Sequence, residues 1–153
     1  MKLSTKTRYG ARILIELAMN REERAIQVSE IAASQKIPVK YLEQLLRTLK
    51  LSGFVKSVRG PKGGHLLAKS PDTISLGQVV RLFEGQTDLV ACISLPQECD
   101  MASECLVRNA WKTATGVLYD KLDSISIADL IRDAGEAFPD AYCPSLAQVE
   151  NVG

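Results

Sequence analysis

The sequence has 153 residues, of which 46% are hydrophobic and 24% are charged, and its formal net charge is +1. This is enough to bury one core, or the core of one small domain that carries an added element. The longest apolar runs have four or five residues, far short of the roughly 20 that a membrane-spanning helix needs. Because no apolar secretory segment opens the sequence, we expect a cytoplasmic protein with reduced thiols.

The charges are unevenly distributed along the chain. Residues 1–69 contain 14 Lys and Arg against 5 Asp and Glu, whereas residues 70–153 contain 5 against 13. The first part therefore carries a net charge of +9 and the second part −8. This asymmetry predicts a polyanion-binding domain joined to a different element, the alternative being a chance clustering of solvated charges.

Three helices are predicted in the first third of the chain. Apolar residues recur at helical spacing over residues 7–20. The small side chains of "VSEIAASQ", residues 28–35, allow a second helix to cross closely. Pro38 suits the first position of a third helix, which Gly53 ends. Two helices joined by so short a turn are typical of a helix-turn-helix.

The third predicted helix has one continuous polar face. Lys40, Glu43, Gln44 and Arg47 lie at helical spacings 0, 3, 4 and 7, opposite a stripe of leucines. Such side chains reach base edges and phosphates in a major groove, although a solvated helix face would look the same. We expect Glu43 and Gln44 to contact bases, and Lys40, Tyr41 and Arg47 to contact phosphates.

A β-hairpin is predicted directly after this helix. Residues 54–58 and 65–68 have the composition of strands, and "RGPKGG" between them is turn chemistry. A hairpin in this position makes the unit a winged helix. Arg59 is expected in the minor groove and Lys62 on a phosphate, because the glycines let the backbone approach DNA closely.

The predicted organisation after the hairpin is mainly helical. Helices are expected over residues 75–84, 103–122 and 126–133, with an irregular segment at 88–102. The last 18 residues contain two prolines and weak periodicity, typical of a disordered tail. The sequence thus predicts three parts: a winged helix-turn-helix at 1–70, a cysteine loop with dimerisation helices at 71–134, and a tail at 135–153.

The long helix carries an apolar stripe that needs a partner. The stripe consists of Val107, Trp111, Ala114, Leu118 and Leu122. The stripe alone does not identify that partner. A dimer of the winged-helix unit would place two recognition helices about a twofold axis and bind a pseudo-palindromic site in double-stranded DNA.

Three segments of the sequence carry a resemblance to a known family. "MKLSTKTRYGARILIELA", "YLEQLLRTLKLSGFVKSVRGPKGGHLLAK" and the cysteine triplet resemble the bacterial winged-helix transcriptional regulators typified by IscR and NsrR. The resemblance covers residues 1 to about 134, and "YLEQL" followed by "VRGPKGG" is highly specific. It implies a homodimer held by the long helix. Many members carry an iron–sulfur cluster on three cysteines, whereas the cysteine-metabolism repressors lack the triplet and the cluster.

Cys92, Cys99 and Cys105 lie within fourteen residues, at the spacing Cys-x6-Cys-x5-Cys. An iron–sulfur cluster, structural zinc, a disulfide switch and three buried apolar thiols are the alternatives. Zinc usually takes short Cys-x2–4-Cys pairs, and a loop rich in carboxylates makes a poor core segment. The resemblance favours a cluster, 2Fe-2S or 4Fe-4S.

This sequence lacks both residues that family members use as the fourth cluster ligand. IscR-like members have a histidine three residues after the third cysteine, where this sequence has Arg108. NsrR-like members use an aspartate in the first helix of the partner subunit, where this sequence has Arg8. An exogenous thiol or water remains, or one of four side chains: Glu98, Asp100, Glu104 and Cys143.

An enzyme is not expected. The only histidine, His65, lies in the predicted wing, and no catalytic triad or phosphate-binding loop can be assembled from the motifs. A cluster carrier would explain the thiols but not the basic first half. We therefore expect a DNA-binding transcriptional regulator that senses cluster status, redox state or nitric oxide. The alternative is a cluster-free regulator that acts through thiol redox or a protein partner.

Overall fold

The computed structural model describes residues 2–20, 24–85 and 87–137. Six α-helices, two short 3-10 helices and one antiparallel two-stranded sheet make up the regular structure of these residues. The elements are α1 (Thr5–Met19), α2 (Val28–Gln35), α3 (Val39–Leu51), β1 (Val55–Val58), β2 (Gly64–Leu67), α4 (Leu76–Glu84), α5 (Leu106–Asp123) and α6 (Ile127–Ala137). The predicted, mainly helical fold with a helix-turn-helix, a hairpin wing and C-terminal helices is confirmed. No described helix is both long and apolar enough to cross a bilayer.

Helix α1 is the central element, since α2, α3, β2, α4 and α6 all pack against it. Ile13 and Leu14 are fully buried, in one cluster with the apolar faces of α2 and α3. Ile74, Val79 and Ile127, which follow the wing in sequence, belong to the same cluster. The helices after the wing are therefore seated on the winged helix through a shared core. The predicted boundary at residue 70, between the winged helix-turn-helix and the part with the cysteine loop and dimerisation helices, stays a prediction.

The first turn of α1 is tied to the last turn of α4. The Ser4 hydroxyl caps α1 by accepting from the Thr7 amide. Glu84 accepts the Ser4 backbone N–H at 2.8 Å and also the buried Thr7 hydroxyl. These hydrogen bonds stabilise the carboxylate and lower the pKa of Glu84. The chain after the wing is thus anchored to α1 by polar contacts as well as by the core.

The turn between α2 and α3 is tight because Lys36 adopts a left-handed conformation, with φ 54° and ψ 45°. The Ile37 N–H then donates to the Ala32 carbonyl at 3.0 Å, and the Ile37 side chain is buried. The expectation that Pro38 occupies the first helical position is wrong by one residue. Its ψ of 133° is extended, so it precedes α3, which begins at Val39.

The hairpin follows α3 at once, since Gly53 has a φ of +75° and the Phe54 N–H donates to the Leu49 carbonyl. Val55 pairs with Leu67 and Val58 with Gly64. Both strands have four residues, slightly displaced from the predicted 54–58 and 65–68.

The long helix begins three residues later than predicted. Turns continue through the segment around Cys105, whose ψ of 107° is not helical, and α5 starts at Leu106. At its other end, Asp123 receives two hydrogen bonds from Arg81 of α4, at 2.7 and 2.6 Å. These bonds lower the pKa of Asp123. The α5–α6 turn is therefore fixed to α4.

Candidate nucleic-acid interface and cysteine loop

The structure separates the two faces of α3 as the sequence predicts. Four of the five leucines of the helix are buried in the core, and Leu51 at its end is exposed. Lys40, Glu43, Gln44 and Arg47 are exposed on the opposite side. This exposed face of α3 is thus available to a duplex, and the contacts of each side chain with DNA stay predictions.

Tyr41 differs from its neighbours because it is half-buried. Its ring meets the ring of Tyr9 edge-on, with centroids 6.1 Å apart and an interplanar angle of 78°. The Arg12 guanidinium lies 5.5 Å from the centroid of the Tyr9 ring. Tyr41 therefore fixes α3 against α1, a packing role that the sequence did not indicate. Its predicted phosphate contact remains a prediction.

A buried carboxylate holds α2 in place. Glu16 of α1 is 5% exposed and accepts hydrogen bonds from the Ser34 hydroxyl and, at 2.5 Å, from Gln35 Nε2. Burial raises the pKa of Glu16, although its hydrogen bonds and Arg12 oppose the shift. Arg12 Nε donates to Gln35 Oε1 at 2.8 Å. Because α2 supports α3, this network helps to set the position of the recognition helix.

The tip of the wing presents two cations on a glycine-rich turn. Arg59 and Lys62 are both exposed. Gly60 has a φ of +113°, and the Gly63 N–H donates to the Gly60 carbonyl at 2.9 Å. A Cβ on Gly63 would lie 2.3 Å from the Val58 carbonyl oxygen. The turn therefore depends on glycine, and it directs both cations away from the core.

The wing is joined to the strand-like segment before α2, which the sequence did not indicate. Ile26 and His65 form an antiparallel bridge: the Ile26 N–H donates at 3.0 Å and the His65 N–H at 2.8 Å. The His65 Nδ1 atom is buried and has no hydrogen-bond partner. Burial, with the nearby charge of Lys50, lowers the pKa of His65. The imidazole therefore stays neutral at pH 7 and serves as packing.

The three cysteines lie in a segment of turns interrupted by a short 3-10 helix at Pro96–Glu98. Each thiol is free and half-buried. Three accessible thiols suit an iron–sulfur cluster in chemistry and number. Within residues 2–20, 24–85 and 87–137, however, no three Asp, Glu, His or Cys side chains approach closely enough to hold a metal ion. The loop would have to close for the sulfurs to converge.

The candidates for a fourth ligand are dispersed. The carboxylates of Glu98, Asp100 and Glu104 are exposed on the loop, and Cys143 lies outside the described residues. Arg8 is exposed on α1, where it donates to Thr5.

Arg108, in contrast, contacts the cysteine loop directly. Its Nε donates to the Cys92 carbonyl at 2.9 Å, and a terminal nitrogen donates to the Ile93 carbonyl at 3.4 Å. In the sequence, this position is notable only because it lacks the histidine of IscR-like members.

Helix α5 leaves part of its predicted apolar stripe exposed in the single chain. Val107 is 57% exposed and Trp111 is 45% exposed. The face that packs on α4 and the preceding loop is a different one, with Thr115 and Tyr119 buried. The need of the stripe for a partner therefore persists in the folded chain, and the homodimer stays a prediction.

Comparison with known proteins identifies the family. A model of the Rrf2 family, described as iron-dependent transcriptional regulators, matches residues 3–133. The chain belongs to the Rrf2 family. Protein rrf2 of Nitratidesulfovibrio vulgaris is 40% identical over 147 residues, which are 96% of this chain and 94% of the relative.

Two solved structures of relatives share the Rrf2 fold. IscR of T. potens has a TM-score of 0.73 and 33% identity, covering 90% of this chain and 91% of its own. CymR, the global cysteine regulator of B. subtilis, has a TM-score of 0.72 and 34% identity, covering 87% and 98%. The chain is therefore a DNA-binding transcriptional regulator of the Rrf2 family and not an enzyme.

Proposed function

We propose that this regulator binds a pseudo-palindromic DNA site as a homodimer and responds to an iron–sulfur cluster held by Cys92, Cys99 and Cys105. The observation that carries the DNA-binding half is the exposed polar face of α3, which continues in sequence into a wing with two exposed cations. The net charge of +9 on residues 1–69 favours approach to a polyanion.

The predicted contacts divide into base contacts and backbone contacts. Gln44 is assigned to adenine and Glu43 to cytosine, since an amide and a carboxylate match the groups that these bases present in the major groove. Arg47 and Lys40 are assigned to phosphates, which set the register of the helix. Tyr41, held by Tyr9, would reach a phosphate from the edge of the same helix.

The wing is assigned to the neighbouring minor groove, with Arg59 inserted and Lys62 on a phosphate. Lys62→Ala should reduce the slope of log K against log salt by about one unit. Arg59→Ala should weaken binding and relax the preference for A·T pairs. Lys121→Ala, which removes an exposed cation of α5, is the matched control. Equal salt slopes for Lys62→Ala and the unchanged protein would contradict the phosphate contact.

The homodimer is proposed because the apolar residues Val107 and Trp111 of α5 are 57% and 45% exposed in the single chain. Covering them with the same stripe of a second copy would remove apolar surface from water on both sides. Two copies of α3 would then face one side of the DNA, at a separation set by the α5 pair.

Cys92, Cys99 and Cys105 would hold the cluster through their sulfurs, and the cluster would supply iron chemistry that responds to oxidants, nitric oxide or iron supply. The cysteine loop precedes α5 directly, so a change in the order of this loop acts on the proposed dimer helix. The separation of the two recognition helices would then shift between two populations with different affinities for the same site.

A cluster-free regulator is the second candidate. It is favoured by the absence of converging metal ligands within the described residues and by the likeness to CymR. Air-free purification separates the two, because a cluster would give brown protein that contains iron and sulfide. Equal affinity of cluster-loaded and cluster-free protein for the same DNA site would refute cluster sensing and leave DNA binding intact.

A further inference from the structure

Arg108 contacts the backbone of two cysteines at once. Its guanidinium donates to the Cys92 carbonyl at 2.9 Å, while its own backbone N–H donates to the Cys105 carbonyl at 3.2 Å. One residue in the first turn of α5 thereby links the two ends of the cysteine loop. The second guanidinium contact, to Ile93, extends this link over consecutive peptide groups.

The link joins parts of the loop that its other backbone hydrogen bonds do not, because each of those bonds spans only three or four residues. The loop consists of turns and one short 3-10 helix, and the thiols of Cys92 and Cys105 remain half-exposed. A hydrogen bond from a charged donor is stronger than one between neutral groups, and the guanidinium is half-buried. Another contact comes from farther along α5, where the Thr115 hydroxyl accepts the Leu89 N–H at 3.2 Å, just before the first cysteine.

We propose that Arg108 is a positioning residue that keeps Cys92 beside the N-terminus of α5, and so beside Cys105, before any cluster is bound. This inference rests on the proposed cluster but concerns a different step, the ordering of the cluster-free loop. The Arg108 side chain therefore acts on the cysteine loop through its hydrogen bonds to the Cys92 and Ile93 carbonyls, which we call the clamp. Arginine is suited to the clamp because its planar guanidinium offers donors to two carbonyls together, which a lysine ammonium matches less well.

The first experiment measures the clamp without any cluster. Hydrogen exchange of the reduced, iron-free chain is compared for Arg108→Ala, Arg108→Lys and the unchanged protein. Lys112→Ala, an exposed cation one turn farther along α5, is the control for loss of charge. Amides of residues 90–95 should exchange roughly tenfold faster in Arg108→Ala, the effect of losing one charge-assisted hydrogen bond. Arg108→Lys should restore part of the protection.

If Arg108 acts only on the cysteine loop, the substitutions must leave exchange in the core unchanged. Exchange in α1 and α4 should be the same in all four proteins, whereas faster exchange everywhere in Arg108→Ala would mean general destabilisation and would overturn the proposal. Unchanged exchange at residues 90–95 in Arg108→Ala would overturn it as well.

The second experiment measures retention of the cluster after air-free reconstitution. Iron, sulfide and the visible absorption band are followed while a chelator is present. Cluster loss should be several-fold faster in Arg108→Ala than in the unchanged protein and Lys112→Ala, with Arg108→Lys between them. If Arg108→Ala keeps its cluster as long as the unchanged protein, the positioning role is refuted. If the unchanged protein takes up no cluster, the proposed cluster function fails, and hydrogen exchange alone decides the clamp.

Discussion

The substitution Gly64→Ala tests whether the wing depends on its bridge to the segment before α2. A Cβ on Gly64 would lie 2.3 Å from the Ile26 carbonyl oxygen and 2.5 Å from its carbonyl carbon. Both are backbone atoms, so no side chain can rotate away. The φ of +156° at this residue adds strain for any L side chain.

The expected fall in the free energy of unfolding follows from the hydrogen bonds that must break. Relieving the clash moves β2 away from Ile26 and breaks the two hydrogen bonds of the Ile26–His65 bridge, at 3.0 and 2.8 Å. At about 0.5–1.5 kcal/mol for each bond, the free energy of unfolding should fall by about 1–3 kcal/mol. In a chain of this size, that corresponds to a fall of roughly 2–12 °C in the melting temperature.

Thermal melting and DNA titration measure the two consequences. Gly64→Ala should melt earlier, and at temperatures well below its transition it should still bind DNA more weakly, because the displaced wing carries Arg59 and Lys62. Gly116→Ala is the control, since the added Cβ would meet nothing within 4 Å apart from its chain neighbours and the backbone of its own helix, and alanine stabilises a helix interior by about 0.5–1 kcal/mol. If Gly64→Ala melts and binds like the unchanged protein, the bridge does not position the wing.

Three further predictions concern the buried carboxylate, the α4–α5 ion pair and the apolar stripe. Because the pKa of Glu16 is raised in the folded state, its ionisation opposes folding as the pH rises from the ordinary value of 4.5 through the raised folded pKa. Glu16→Gln should therefore gain stability relative to the unchanged protein as the pH rises through this range in denaturant titrations; a difference that does not vary with pH would contradict this. The pKa of Asp123 is lowered, so its contribution is lost as the pH falls through the folded pKa. Asp123→Asn should cost about 0.5–1 kcal/mol at pH 7, because the pair with Arg81 is partly exposed, and nothing once the aspartate is protonated. Val107→Glu should shift sedimentation towards the monomer, with a matching change in the fluorescence of Trp111, the only tryptophan, whereas an unaltered sedimentation coefficient would place the dimer interface elsewhere.

The sequence alone determined the helices whose periodicity is strong and whose ends carry caps. The leucine stripe of α3 and the glycine after it fixed the recognition helix to within a residue or two, because buried and exposed positions alternate with the helical period. The wing was predictable for a related reason, since "RGPKGG" leaves the backbone no regular alternative. The start of α5 was missed by three residues, because a polar segment such as 103–105 fits a first helical turn and a loop equally well.

Only the tertiary structure decided what each polar side chain does. In the sequence, Glu16 is one more charged residue of a helix and would be expected to be solvated. In the structure α2 covers it, so that it is a buried hydrogen-bond acceptor. In the sequence, Arg108 is notable only because it stands where relatives carry a histidine ligand. In the structure its guanidinium donates to the Cys92 carbonyl, sixteen residues earlier in the chain. Periodicity reports which face of an element is buried, because that depends on neighbours in sequence. Which distant group meets a given charge depends on how the elements pack, and that information lies in the fold as a whole.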